Sequence, residues 1–151
     1  MVLKKKEVVE ALFKELETKE KQLHSEWKDL QNALGSETKS TAGDKHETGR
    51  AMTHLELERV GKNLHQLREQ KEHLQKTDFN KVDGHTISNG CLIRTDRGYY
   101  LLAISFGPLQ LKGETCFVLS PLSPVGRMLP GSSRGEVITY RDLQFKILNF
   151  E

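Results

Sequence analysis

Leu57-Glu58-Arg59-Val60-Gly61-Lys62-Asn63-Leu64-His65-Gln66-Leu67 is the stretch whose spacing decides the fold of this chain. Leu57 and Leu64 hold one position of a seven-residue repeat, Val60, Leu67 and Leu74 hold its companion, and Thr53 and Lys71 are weaker members. A 3.5-residue period predicts a helix with one narrow apolar stripe. Upstream the same pattern recurs. Val9, Leu16, Leu23 and Leu30 fall seven apart, Phe13, Trp27 and Leu34 keep the second phase, and Glu20 is the one polar interruption. Two stripes on either side of a polar connector predict an antiparallel coiled-coil hairpin. Ser36 to Gly43 supplies the break, because Gly35 and Gly43 tolerate positive φ and weaken a helix entropically. At about 1.5 Å per residue, arms of roughly 30 residues extend about 45 Å.

Composition shifts after this hairpin. Residues 1–77 carry 15 Lys/Arg and 14 Asp/Glu, against 8 and 7 in residues 78–151, and all four prolines and eight of the ten aromatics follow Thr77. A two-helix seam buries little surface, so the second half has to supply the compact core. The domains are therefore expected at 1–77 and 78–151. A net charge of +2, with bases interleaved among acids, gives no electrostatic case for specific DNA binding. Lys4-Lys5-Lys6 reads as a solvated helix start. No apolar run approaches the ~20 residues of a membrane span, and no signal-peptide core follows the first residues, so a cytoplasmic protein is expected. Cys91 and Cys116 are isolated, without CxxC spacing, and read as small buried residues.

After Asp78 the period becomes that of strands. Thr86-Ile87, Cys91 to Ile93, Tyr99 to Ile104, Cys116 to Leu119, Val137-Ile138 and Leu143 to Ile147 are short β-branched or aromatic runs bounded by Gly, Asp and Pro. They predict a small antiparallel sheet, with a hairpin turn at Asp96-Arg97-Gly98. Between strands, Ser120-Pro121-Leu122-Ser123-Pro124-Val125-Gly126-Arg127-Met128-Leu129-Pro130-Gly131 reads as one short helix capped at both ends. The fold class is α+β.

This block, with Ser123-Pro124 in the Ser-Pro place, and the motif Gly43-Asp44-Lys45-His46-Glu47 between the helices together resemble the GreA/GreB family of bacterial transcript-cleavage factors. Gly135-Glu136-Val137 and the strand from Leu143 follow at suitable distance, so the resemblance covers nearly the whole chain. It implies an FKBP-like second domain that docks on bacterial RNA polymerase through Ser120, Leu122, Ser123, Pro124 and Arg127. It also implies a hairpin that enters the secondary channel with Asp44 and Glu47 at its tip. There the two acids would act in trans, steadying the second, loosely held Mg²⁺ of the polymerase while backtracked RNA is hydrolysed. The chain would have no cofactor and no enzyme activity of its own. Lys45, Arg50 and Lys39 are candidate contacts to RNA or polymerase near the tip.

The residues themselves leave two readings of the acid pair open. Asp44-x-x-Glu47 has capping-box spacing, which would simply start the second helix. Mg²⁺ usually keeps several waters and takes one or two protein carboxylates, so the same pair suits an ion held mainly by other ligands. After Glu47 the chain runs Thr48-Gly49-Arg50-Ala51, where the family usually has Asn-x-Glu-Tyr. Two alternatives follow: a channel-binding regulator or inhibitor that does not stimulate cleavage, and a coiled-coil interaction protein unrelated to polymerase.

Overall fold

The first helix, α1 (Lys5–Glu37), and the second, α2 (Gly43–Lys76), account for 33 and 34 residues. A computed structural model describes residues 2–37 and 43–151, with side chains described for 2–35 and 47–151. The expected connector from Ser36 to Gly43 therefore lies largely outside the described residues. Six strands and a short helix follow: β1 (Leu92–Thr95), β2 (Gly98–Leu102), β3 (Gly107–Leu111), β4 (Glu114–Leu119), α3 (Pro124–Met128), β5 (Val137–Tyr140) and β6 (Leu143–Phe150). The chain forms two compact units, one of residues 14–71 and one of residues 1–13 with 72–151. The division between these units falls within the long helices.

The first of these units is the hairpin. Leu16, Leu57, Val60, Leu64 and Leu67 are buried in its seam, while Leu23, Trp27, Leu30 and Leu34 are half-buried. Glu26 reaches Arg59 at 2.7 Å, and Glu20 reaches Arg68 at 3.9 Å and Lys71 at 3.7 Å, so one number falls as the other rises and the helices run antiparallel. Gly61, in the middle of a helix, has a packing reason. A Cβ there would stand 3.3 Å from the Trp27 ring.

In the second unit the start of α1 departs from the heptad reading. Val8 and Leu12 are fully buried, whereas Val9 and Phe13 are half-buried. Val8 and Leu12 follow the i, i+4 spacing of a helix laid on a broad surface, not the narrower seam of a two-stranded coil. Leu3 and Leu74 are buried in the same unit, and the Leu3 N–H donates to the Tyr99 hydroxyl at 3.2 Å. The start of α1 is satisfied by the Glu151 carboxylate, which accepts from the Lys5 N–H, and by Glu7, whose Oε2 accepts from the Lys4 N–H at 3.4 Å while its Oε1 accepts from Lys112 Nζ at 2.6 Å.

The six strands are ordered β3-β4-β2-β1-β6-β5. The expected all-antiparallel sheet is corrected by one pair: β2 and β4 are parallel, in register Tyr99 with Cys116 through Leu102 with Leu119. After β2 the chain crosses to the sheet edge, runs back as β3, and turns at Lys112 and Gly113, with φ of 53° and 78°, into β4. Pro108 dictates this order, because a residue without an N–H is confined to an edge strand. The strand β3 begins Gly-Pro and is not among the strands expected from the sequence. Conversely, Thr86-Ile87 is not a strand. Ile87 exchanges single backbone hydrogen bonds with Ser132 and Gly131, at 2.9 and 2.8 Å.

One face of the sheet carries the main core, formed by Ile87, Cys91, Ile93, Tyr100, Leu102, Leu129, Ile138, Phe145, Ile147 and Phe150. A bulge in β6 at Leu148, opposite the Arg94/Thr95 step, lets Phe150 return to that face. On the opposite face Leu92, Tyr99, Leu101, Leu109, Cys116 and Val118 are also buried. β2 is therefore buried on both sides, as a central strand in such a layered unit should be.

Candidate functional site

The predicted residues fall in two sets, one in each compact unit. In the hairpin, α2 begins at Gly43, so the backbone at positions 44 and 47 is helical and the two positions lie in its first turns. The capping-box reading, which puts Asp44 just before the helix, is not the observed start. The side chains of Asp44 and Lys45 lie outside the described residues, as does Lys39. Glu47 and Thr48 are exposed, and Gly49 and Arg50 are half-buried. The Thr53 hydroxyl donates to the Gly49 carbonyl at 2.9 Å, which ties the second turn of the helix to the third.

The docking candidates fall together on the turn into α3. Ser123 is the N-cap: its Oγ accepts from the Gly126 N–H at 3.1 Å and donates to the Ser120 carbonyl at 2.7 Å. Pro124 occupies the first helical position, where its missing N–H costs nothing. Ser120 Oγ accepts from the Leu122 N–H at 3.1 Å. Ser120 and Ser123 thus build the turn, and the side chains it offers to solvent are Leu122, at 74% exposure, Pro124, Arg127 and Met128. Leu129 anchors the other side in the core, fully buried.

Gly126 makes this arrangement possible. A Cβ at that position would lie 2.0 Å from the Ser120 carbonyl oxygen and 2.6 Å from Ser123 Oγ. Sequence reasoning placed Gly126 in the block without giving it this role. Arg134 was missed altogether. Its guanidinium donates to Asn149 Oδ1 at 2.7 Å, to the Gly84 carbonyl at 2.7 Å and to the Phe150 carbonyl at 3.2 Å, and it lies 4.2 Å from the centre of the Phe150 ring. One side chain holds the loop at Gly84 and the end of β6 together.

Other titratable groups have structural explanations. The Asp83 carboxyl is held below its usual range by N–H donation from Thr86 and His85, at 2.9 and 2.8 Å. Burial pushes the Cys116 thiol up to about 12, so it is neutral and unreactive. Among the described residues no cluster of three or more His, Cys, Asp or Glu side chains is placed to hold a metal ion. A pair of carboxylates at positions 44 and 47 fits a Mg²⁺ only as a supplement to ligands from elsewhere. No helix of the described residues is long and apolar enough to cross a membrane. The chain matches no known family model, and no curated protein matches it.

Proposed function

We propose that this chain is a Gre-like transcription elongation factor, acting on bacterial RNA polymerase through a tip on its helical hairpin and a docking surface on its sheet domain. The observation that carries the reading is the pairing of two features in one chain. A long antiparallel hairpin holds Gly43-Asp44-Lys45-His46-Glu47 at the start of its second helix, and a separate mixed sheet presents the Ser123-capped turn. Positions three apart on a helix share a face, so an acid at 44 and an acid at 47 suit joint ligation. The exposure of Glu47 keeps it accessible.

When held in the polymerase, the second Mg²⁺ would supply the Lewis acidity for hydrolysis of RNA. The contribution of this chain is to place Asp44 and Glu47 beside that site and to exclude other geometries by the stiffness of the helices. Leu122, Pro124 and Arg127 would make the docking contact, with Ser120 and Ser123 fixing the turn that carries them. Lys45 and Arg50 are suited to phosphate oxygens of the transcript.

The test is addition of the purified protein to stalled, backtracked elongation complexes. Short 3′ RNA fragments are expected with the wild type. Asp44→Ala combined with Glu47→Ala should abolish them while polymerase binding persists, with helicity measured alongside. Cleavage at an undiminished rate in the double variant would rule out donation of ligands. Binding without cleavage by the wild type would favour a channel regulator instead, in keeping with Thr48-Gly49-Arg50 after the acid pair. Absence of binding would leave a coiled-coil interaction protein.

A further inference from the structure

The sheet face opposite the main core is covered on one half and open on the other. Over β3, β4 and β2 the residues Leu109, Cys116, Val118, Tyr99 and Leu101 are buried. Beyond Leu92, which is buried at the start of β1, the same face over β1, β6 and β5 presents Arg94, Asn149, Lys146, Gln144, Val137 and Thr139, all exposed, together with Leu148 from the bulge. Their common face follows from the registers, which set Arg94 opposite both Tyr99 and Asn149, Val137 opposite Lys146, and Thr139 opposite Gln144. Val137 is 51% exposed and Leu148 43%, large values for two apolar side chains on one sheet.

Charge and dimensions say what fits there. Arg94 and Lys146 are the cations of this open face that no ion pair among the described residues holds, and a third, Arg134 at its edge, is engaged by Asn149 Oδ1 at 2.7 Å and by the Gly84 and Phe150 carbonyls. The acids lie at the margins: Asp96 spends one oxygen accepting from the Lys146 backbone N–H at 2.8 Å, Glu136 precedes β5, and Glu151, paired with Leu92 two residues before Arg94, accepts from the Lys5 N–H. Three adjacent strands span about 10 Å between outer axes, the width of one α-helix. The residue opposite Arg94, Asn149, is three positions from Lys146 along β6, so the two cations stand roughly 10 Å apart with Leu148 between. On a helix that separation is two turns, about 10.5 Å for residues i and i+7.

We infer that the open half of this sheet face, Arg94, Lys146, Val137 and Leu148, is a docking surface for one acidic amphipathic helix of a partner protein. Its carboxylates seven residues apart meet Arg94 and Lys146, and its intervening apolar residues cover Leu148 and Val137. A single-stranded nucleic acid fits less well, since such binding relies on exposed aromatic rings for stacking and this face offers none among the described residues. The surface is independent of the polymerase reading: a chain inactive in every cleavage assay would still bind such a helix.

The test is an amide-shift titration of the full chain with a synthetic helical peptide carrying Glu at i and i+7 and Leu at i+3 and i+4. A peptide with Lys in place of Glu and an oligouridine RNA serve as comparators. The acidic peptide is expected to move the amides of residues 94, 137, 139, 144, 146, 148 and 149. Arg94→Glu combined with Lys146→Glu should weaken it roughly tenfold or more, because like charges then face each other. Both side chains are exposed, so an unchanged melting curve checks that the variant is folded. The proposal is overturned if the acidic peptide leaves these amides unmoved, if the lysine peptide or RNA moves them equally, or if charge reversal leaves affinity unchanged.

Discussion

Gly126 is the side chain whose absence matters most. Because a Cβ would stand 2.0 Å from a backbone oxygen, Gly126→Ala has to open the Ser120 turn, at a cost of about 1–3 kcal/mol for overpacking of this kind. Urea unfolding is the measurement, and an unchanged midpoint would mean that the turn moves freely. Asp83 offers a test by pH. Its carboxyl is held low by the Thr86 and His85 N–H groups, so its contribution is full above the unfolded pKa of about 3.9 and is lost as pH falls through the lower folded value. The stability difference between wild type and Asp83→Asn should accordingly be present at pH 6 and vanish in strong acid. A difference that persists in acid would assign the effect to something other than ionisation. Some of this was readable in the sequence. Ser123 before Pro124 announces a helix start, because cap and first-turn preferences are local. The roles of Gly126 and Arg134 were not, since they depend on a carbonyl six residues away and on groups 15 to 50 residues away.

The long helices were readable as seams because Leu57, Val60, Leu64 and Leu67 repeat with one period, and these four are buried. The start of α1 was not, because Val8 and Leu12 answer to the sheet unit and not to the coil. Strand β3 was hidden by Gly107-Pro108, which suit a turn as well as an edge, and the parallel β2–β4 pair leaves no local signature at all. The short helix expected after Ser123-Pro124 forms as α3, whereas the tip acids are known by position alone. Glu20 is the informative exception within the seam. One of its carboxylate oxygens is buried without a hydrogen-bond partner, and its ion pairs to Arg68 and Lys71 are long, at 3.9 and 3.7 Å. Apolar replacement of a desolvated ionic group is commonly neutral or stabilising. Glu20→Leu is therefore expected to hold or raise the melting temperature, read by circular dichroism. A clear fall would mean that the pairs with Arg68 and Lys71 outweigh desolvation.

A protein that works by delivery depends on length as well as on chemistry. Removing residues 17–23 together with 65–71 takes out one heptad from each helix, including Glu20 and both of its partners, and leaves the remaining seam in phase. Each helix becomes about 10 Å shorter, far more than a metal–oxygen bond can tolerate, while the α3 turn and the sheet are untouched. The decisive measurement is RNA cleavage in backtracked elongation complexes by the full-length and shortened proteins, each at saturating concentration and each checked for polymerase binding. Fragments from the full-length protein and none from the bound, shortened one are predicted. Equal cleavage by the two, or binding by the full-length protein with no cleavage, would contradict delivery of Asp44 and Glu47 by the hairpin.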